Sequence, residues 1–438
     1  YSLTLTNGVI TKVEGGLEAN VMRTWLESRN DPTIFKLCHF TIGLNPKAGI
    51  SGNMIEDMFY HLESHLSPED VRAFARMGAY ESLINGVAFV WDHYYYGLET
   101  AKALKDVDLT GVVAPTLQDL SGPGINSYEA EWNATLAIHN NKEFSKIGIF
   151  SAFGPHATDT ISKSLWQEVC NEAAKKNIPV HIHCAQSFEE YEKTTKREGL
   201  SPLRFLKENG LDDLSKCLLV HNIFMTEDEI KSLHPKKHTL VSCPFSALIF
   251  CFPADFTLWE KHKKSWLVAT DCVASNDSMN IQKELRFISG YPMQELSFKS
   301  NFGAYFNEAK GIDGVEKQRQ ASWEESSQFR DPEWLLGKVW GQAGKMHPKF
   351  KTGKIKAGHL ANICIWDTDH PSMWPGSDLR TLAFGDTTQA ISGMMINGAW
   401  AGGVLPSSSW SADVINSSVY KEALVEAKKR LKSLMKSI

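Results

Sequence analysis

No stretch of the 438 residues reaches 18 uninterrupted apolar side chains, so no segment reads as a membrane-spanning helix. No basic patch or Lys/Arg run suggests nucleic acid as the main partner, and 46 basic against 51 acidic residues leave a net charge of −5. No C-x-x-C pair occurs. The eight cysteines, at 38, 170, 184, 217, 243, 251, 272 and 364, are scattered, most of them inside apolar runs such as PVHIHCA and NICIW. Buried free thiols in a reducing compartment are therefore expected ahead of disulfides or a thiolate metal site. The start, YSLTLTNGVI, lacks the basic and long apolar regions of a secretory signal, which favours the cytoplasm. Short-period repeats and low-complexity tracts are also missing.

What is there is a large core. Hydrophobic residues make up 42% and charged residues 22%, with 13 Trp and 22 Phe, an ordinary globular balance. Eight short β-rich runs follow one another: 34–40, 87–95, 109–117, 146–154, 178–186, 217–224, 238–245 and 265–271. Helix-like stretches lie between them. Residues 56–84 carry apolar positions at helical spacing, 159–176 open with Asp, Thr and Ser capping types, and 226–234 open with a Thr N-cap and acidic residues. Strands that are apolar throughout and alternate with helices form a parallel sheet under a helical layer, and eight such units predict a (β/α)8 TIM-type barrel.

The ends read differently. Residues 2–13 predict a hairpin turning near Asn7-Gly8, and 352–404 hold further short strands and turns. The expected organisation is a small β-sandwich domain from 1–30 and 350–406, the barrel over 31–349, and a C-terminal helix in 407–438. That helix has Ala423, Leu424, Ala427, Leu431 and Leu434 near helical spacing and Lys on the other face, which suits packing rather than a membrane surface. Trp374, in HPSMWP, is expected to pack in the sheet.

Active sites of such barrels lie at the C-terminal strand ends, and ligand-type residues cluster there. His39 ends the first run, Asp92 and His93 the second, and His156 follows the fourth. His181 and His183 lie in the fifth with Gln186 after them, His221 is in the sixth, and Asp271 ends the eighth. The period of two puts His181 and His183 on one face, toward the barrel interior. Imidazoles and a carboxylate converging there suit a divalent transition metal, which lowers the pKa of bound water and favours hydrolysis. Each histidine taken alone is better read as structural. The aromatic run Tyr94-Tyr95-Tyr96 reads equally as loop packing. Cys184 and Cys243 sit beside the expected site, but a nucleophilic role needs an activating base.

Five segments, in order, resemble the amidohydrolase superfamily, in the branch of cytosine and S-adenosylhomocysteine deaminases and triazine chlorohydrolases. GPHATDTIS is similar to a fourth-strand segment whose histidine, here His156, contacts substrate. VHIHCAQSFEEYE places His183 at a metal-ligand position, and LLVHNIFMTEDEI places His221 beside the bound water or substrate. VATDCVASND makes Asp271 both metal ligand and proton shuttle. TGKIKAGHLANICIWDTDHPSMWP resembles the return into the small β domain. The resemblance implies metal ligation by His39, His183 and Asp271, catalysis by Asp271, His221 and Gln186, and substrate contacts from His156, His93 and Ser246. It implies one divalent metal, zinc ahead of iron, a small-molecule substrate, no nucleic-acid or membrane partner, and a homodimer.

The sequence departs from that family in four places. Its first-strand H-x-H is Leu37-Cys38-His39 here, with one histidine. Its proton-shuttling Glu, three residues past the fifth-strand His, is Gln186, and an amide cannot serve as general acid or base. Only 38 residues precede His39, and Asn362 stands where Asp is usual. Two functions follow. One is a metal-dependent hydrolase of a C–N, non-peptide bond in a small polar or heterocyclic substrate. The other is a catalytically degenerate relative, binding metal weakly or not at all, that holds a small molecule or partners an active homologue.

Overall fold

The computed structural model describes residues 2–6, 9–15, 19–20, 23–24, 27, 55–250, 252–296, 303–305, 308, 311–376, 378–403, 405–407 and 409–437. The chain divides into two compact units, 1–64 and 65–438. In the first, β1 (Ser2–Thr6) pairs antiparallel with β2 (Val9–Glu14), with Thr6 opposite Val9; the turn expected near Asn7-Gly8 lies outside the described residues.

The second unit opens with α1 (Pro68–Ile84). Ser67 and Asp70 form a reciprocal capping box and Pro68 occupies the first turn. The single helical stretch expected over 56–84 is thus broken before Pro68, because proline disfavours a helical residue in front of it.

The strands are β3 (Phe89–Tyr94), β4 (Thr110–Leu117), β5 (Ile149–Ser151), β6 (Gly154–Pro155), β7 (Val180–Cys184), β8 (Cys217–His221), β9 (His238–Ser242) and β10 (Trp266–Val268). They match the second to eighth expected runs, the fourth run being divided into β5 and β6. The first run, 34–40, lies outside the described residues. All pairings are parallel. β3 pairs with β4, β4 with β5 and β6, and β7, β8, β9 and β10 pair in sequence. Parallel bridges Phe153–Val180 and Ala157–His183 join the two groups. Gly154 has to be glycine for this closure, since a Cβ there would stand 2.6 Å from the Pro115 carbonyl oxygen.

Alternation sorts the strand residues onto two faces. One set, Leu218, Val220, Val241, Cys243 and Leu267, packs with Trp91 of β3, so β3 lies across the interior from β8 and β10. Val112, Ala114 and Ala152 join Phe89, Trp91 and Phe150 on the same inner side. The opposite set, Val180, Ile182, Cys184, Leu219, Leu240 and Trp266, packs under the helical layer with Trp166, Phe205 and Trp259. At the strand starts the ring of His347 closes on Phe89 (4.7 Å) and Phe150 (5.3 Å). The strand ends are left to the site.

β11 (Ile363–Trp366), β12 (Ile391–Ile396) and β13 (Ala399–Trp400) form an antiparallel sheet in that order. Asn397 and Gly398, both at positive φ, make its two-residue turn. Ile391, Met394 and Ile396 share a core with Leu83, Leu109 and Trp410. Trp374 does not pack in this sheet. Its side chain is 79% exposed on a loop, and nothing in the structure explains the aromatic choice. The C-terminal helix, α2 (Ser418–Ser437), buries Ala423 and Ala427 and sets Arg430 against Asp70 of α1 (3.3 Å). Among the described residues no helix is long and apolar enough to cross a membrane. Cys170, Cys184, Cys217 and Cys243 are buried free thiols, as expected, while Cys272 is exposed and Cys364 half-buried.

Candidate active site

Strands β3, β6, β7, β8 and β10 each deliver a polar side chain at the same end of the sheet. The rings of His93 and His183 stack at 4.8 Å, His183 and His221 at 5.5 Å, and His156 lies 5.0 Å from His183. His181 lies 5.1 Å from His93 and edge-on to Trp91, so it faces inward with His183 as the alternation requires. His221 Nε2 is 3.9 Å from Asp271 Oδ2. Of the expected site residues, the structure brings together His93, His156, His183, His221, Ser246 and Asp271, with Gln186 two residues beyond the end of β7. His39 lies outside the described residues. Asp92 alternates away from His93. It is a half-buried carboxyl, raised by burial to about 6, with Oδ1 lacking a hydrogen-bond partner among the described residues.

Local backbone geometry aims these groups. Ala185, His221, Asn222 and Asp271 all have positive φ (51°, 73°, 54° and 65°). Such conformations cost of order 1–3 kcal/mol each for non-glycine residues and persist where surrounding structure fixes them. Here the ladder supplies that fixation: Asn222 N–H donates to the Cys184 carbonyl (2.9 Å), and Ile223 and Phe224 donate to Ala185.

Hydrogen bonds set the tautomers. His183 Nδ1–H donates to the His156 carbonyl (2.7 Å), which leaves the Nε2 lone pair free to ligate. His93 Nε2–H donates to the Gly154 carbonyl (3.1 Å), and His156 Nδ1 meets Thr160 Oγ1 (3.0 Å). Burial, reinforced by neighbouring imidazoles, pushes His93 and His156 well below the usual histidine range, His181 to about 3 and His221 to about 4. Burial also lowers His183. The cluster is therefore neutral, the form that binds metal. Burial alone would raise Asp271, but His221, the Ser246 hydroxyl and the Cys272 amide outweigh it and hold the carboxyl below its usual range.

Ser246 donates to Asp271 Oδ2 (2.7 Å) and lies 2.9 Å from Ser275 Oγ. Cys272 N–H donates to the other carboxylate oxygen (2.6 Å). Asn276 and Phe245 N–H are both held by the buried Glu284, at 2.8 and 3.0 Å, which locks the turns after β9 and β10 together.

Two residues were missed by sequence reasoning. Glu190 is fully buried and accepts from Thr158 Oγ1 (2.6 Å), Gln186 N–H (2.7 Å) and Thr158 N–H (3.3 Å). It ties the turn carrying Gln186 to the loop carrying His156. The spacing Ser187-x-x-Glu190, a helix-start pattern, was the signal available for it. The second is Cys243, read as a buried free thiol ahead of a metal-site thiolate or a nucleophile, which stands with His221 and Asp271 so that one ligand atom from each lies within 4.8 Å of the others.

The donor set fits a divalent transition metal. It offers neutral imidazoles, an ionised carboxylate and a thiol, and the buried Nδ1 atoms of His93 and His181 lack hydrogen-bond partners among the described residues. The sequence profile of the amidohydrolase family matches residues 39–307. The chain belongs to the amidohydrolase family. A profile for 2,5-dihydroxypyridine 5,6-dioxygenase matches residues 1–75, too short a stretch to place the chain there.

Among curated relatives of this amidohydrolase, the 5'-deoxyadenosine deaminase of Methanocaldococcus jannaschii is 25% identical over 75% of this chain and 71% of its own length. The 5-methylthioadenosine/S-adenosylhomocysteine deaminase of Thermoanaerobacter pseudethanolicus is 27% identical over 77% and 72%. Among solved structures, a zinc-bound adenosine deaminase from Xanthomonas campestris superposes with TM-score 0.69 at 17% identity, covering 86% of this chain and 78% of that one. The zinc complex of atrazine chlorohydrolase from Arthrobacter aurescens gives 0.65 at 16%, covering 84% and 79%. With the family established, the described parallel strands take their place in a (β/α)8 barrel.

Proposed function

We propose that this amidohydrolase cleaves a C–N bond other than a peptide bond in a small heterocyclic substrate, releasing ammonia, with one divalent transition metal, zinc ahead of iron, held by His183, His221 and Asp271. The observation that carries this reading is the His183 tautomer, fixed by its bond to the His156 carbonyl, beside an ionised Asp271. A metal ion in that position supplies Lewis acidity and an acidified water.

The chain's own residues supply the rest. Asp271 Oδ2, oriented by Ser246, accepts the proton of the attacking water. His221 Nε2, 3.9 Å from that oxygen, is the ring atom placed to hold the ion beside it. His156 and His93 line the approach, and the Gln186 amide orients a ring nitrogen without titrating. Phe188, Phe224 and Phe252 form a chain of ring contacts (6.2 and 5.2 Å) on segments following β7, β8 and β9, with Phe188 and Phe252 largely exposed. Such rings suit a planar base. The named relatives act on adenosine-type nucleosides, so nucleosides of that type are the first substrates to try, with aminotriazines second. The free thiols support a cytoplasmic setting, and a homodimer is the assembly proposed by analogy.

The test is ammonia release by zinc-loaded protein from 5'-deoxyadenosine, S-adenosylhomocysteine, methylthioadenosine and aminotriazines, with metal content measured in the same preparation. Turnover of any of these supports the reading. Full zinc occupancy with no ammonia from the whole panel would favour a second reading, binding without turnover, for which Gln186 in place of a titratable residue is the specific argument.

A further inference from the structure

We propose that Cys243 is itself a metal ligand in this chain, its thiolate adding to the His183, His221 and Asp271 donors proposed above and making the centre a mixed sulfur–nitrogen–oxygen site. The inference rests on the metal-dependent reading above and names a ligand that reading does not contain.

The geometry comes from three consecutive strand ends. His221 closes β8, Cys243 follows β9 at the start of the turn Pro244–Ile249, and Asp271 follows β10. One ligand atom from each lies within 4.8 Å of the other two, and His221 Nε2 to Asp271 Oδ2 is 3.9 Å. Ligands around a tetrahedral ion, with bonds of about 2.0–2.3 Å, stand roughly 3.3–3.8 Å apart. Small side-chain rotations therefore bring all three onto one centre. His183 stacks on His221 at 5.5 Å with its Nε2 lone pair unused, which places a second imidazole beside the trio.

The sulfur is also held for this purpose. Cys243 is buried among Leu218, Val220, Val241 and Leu267, so water and oxidants have little access to it. Its turn is pinned by the bond from Phe245 N–H to Glu284, and Ser246, three residues on, fixes Asp271. One short turn thus carries both the sulfur and the hydroxyl that holds Asp271. The first-strand segment has a single histidine, and a thiolate from β9 supplies a donor that segment lacks. Ligation breaks the S–H bond, forms an S–metal bond and releases one proton to solvent. The softer donor biases the site toward zinc or cobalt and away from magnesium or calcium.

The experiment is zinc X-ray absorption on the full-length, zinc-loaded protein, paired with cobalt(II) substitution. The expected result is one sulfur scatterer at about 2.3 Å and a near-ultraviolet sulfur-to-cobalt charge-transfer band. In Cys243→Ser and Cys243→Ala both signals disappear and metal affinity falls at least tenfold by competition with a chelator. Loss of even a supporting partner to a ligand costs roughly 10–100-fold. Cys364→Ser, a thiol in the separate β11 strand, keeps both signals. Full zinc occupancy with only nitrogen and oxygen scatterers in the unmodified protein overturns the thiolate and leaves the metal-dependent reading standing. Failure of the unmodified protein to take up zinc overturns both. Because the decisive spectrum is taken on unmodified protein, misfolding of a variant cannot obscure the outcome.

Discussion

Replacing Glu190 by glutamine should loosen the site without touching it. The carboxylate is fully buried and receives three donors, Thr158 Oγ1 at 2.6 Å, Gln186 N–H at 2.7 Å and Thr158 N–H at 3.3 Å. Glutamine keeps the shape but turns one acceptor into a donor. Whichever way the amide lies, at least one buried N–H or O–H faces it without an acceptor, a loss of roughly 1–3 kcal/mol. The pH dependence sharpens the test. Burial, then Asp159, raises the Glu190 carboxyl to about 7, so between its unfolded value near 4.5 and 7 the folded state binds more protons than the unfolded one. The stability this contributes is present below pH 4.5 and lost as pH rises through 7, by up to about 3 kcal/mol. Glu190→Gln removes that slope, so its deficit should be largest near pH 5 and shrink by pH 8. Urea denaturation at the two pH values, with an unchanged slope against denaturant, measures this directly. Amide exchange over 156–160 and 185–188 should rise together, and turnover should fall, since His156 and Gln186 are no longer tied. Equal midpoints for the two proteins at both pH values, with unchanged exchange, would refute the argument that this carboxylate holds the two loops.

Gln186→Glu should restore a titratable proton beside the substrate and raise ammonia release by roughly 10²–10⁴-fold, the range of general acid–base help; a fall in turnover would mean that the amide is adapted to a different proton route. His238, at the start of β9, accepts from His234 N–H through Nδ1 (3.0 Å) and is pushed to about 4 by burial. Its folded value lies below the unfolded 6.5, so the unfolded state binds more protons and stability is lost as pH falls from 6.5 to 4, by up to about 3 kcal/mol. In His238→Gln the acid limb of a thermal-melt series should flatten over that window, and an unchanged limb would remove His238 from the account.

The strands were legible because each is apolar on both faces and bounded by helix-start chemistry. The capping boxes at Ser67 and Thr226 and the N-cap at Ser162 begin helices where the residue types say they should. The inward pairing of His181 and His183 followed from the period of two alone. Asp92 was harder. Ending a strand does not say which face a residue takes, and one position of register separates it from His93. Ser246 was read as a substrate contact from the family resemblance, and its bond to Asp271 is something the sequence did not announce. Partners 25 residues apart leave no local pattern to read. Cys243 looked inert for the same reason, since its neighbours His221 and Asp271 come from different strands. Glu190 carried only a weak local mark, a helix-start spacing that many surface helices share.

These failures have one physical origin. Periodicity and capping are short-range and are written in adjacent residues, whereas a site is assembled by sheet closure from strand ends far apart in the chain. The left-handed residues make the point. Ala185, His221, Asn222 and Asp271 are ordinary non-glycine letters in sequence, and nothing in their neighbours announces positive φ. Around Ala185, His221 and Asn222 the two neighbouring strands supply the hydrogen bonds that fix it, from the Asn222, Ile223 and Phe224 N–H groups to the Cys184 and Ala185 carbonyls. The same turns that carry the strain aim His221 and Asp271 at each other. With Gln186 unable to titrate, Asp271 is the ionised carboxylate that the structure sets against the imidazoles. On the function proposed above, proton transfer is organised around the ends of β8 and β10, with the end of β7 left to orient substrate.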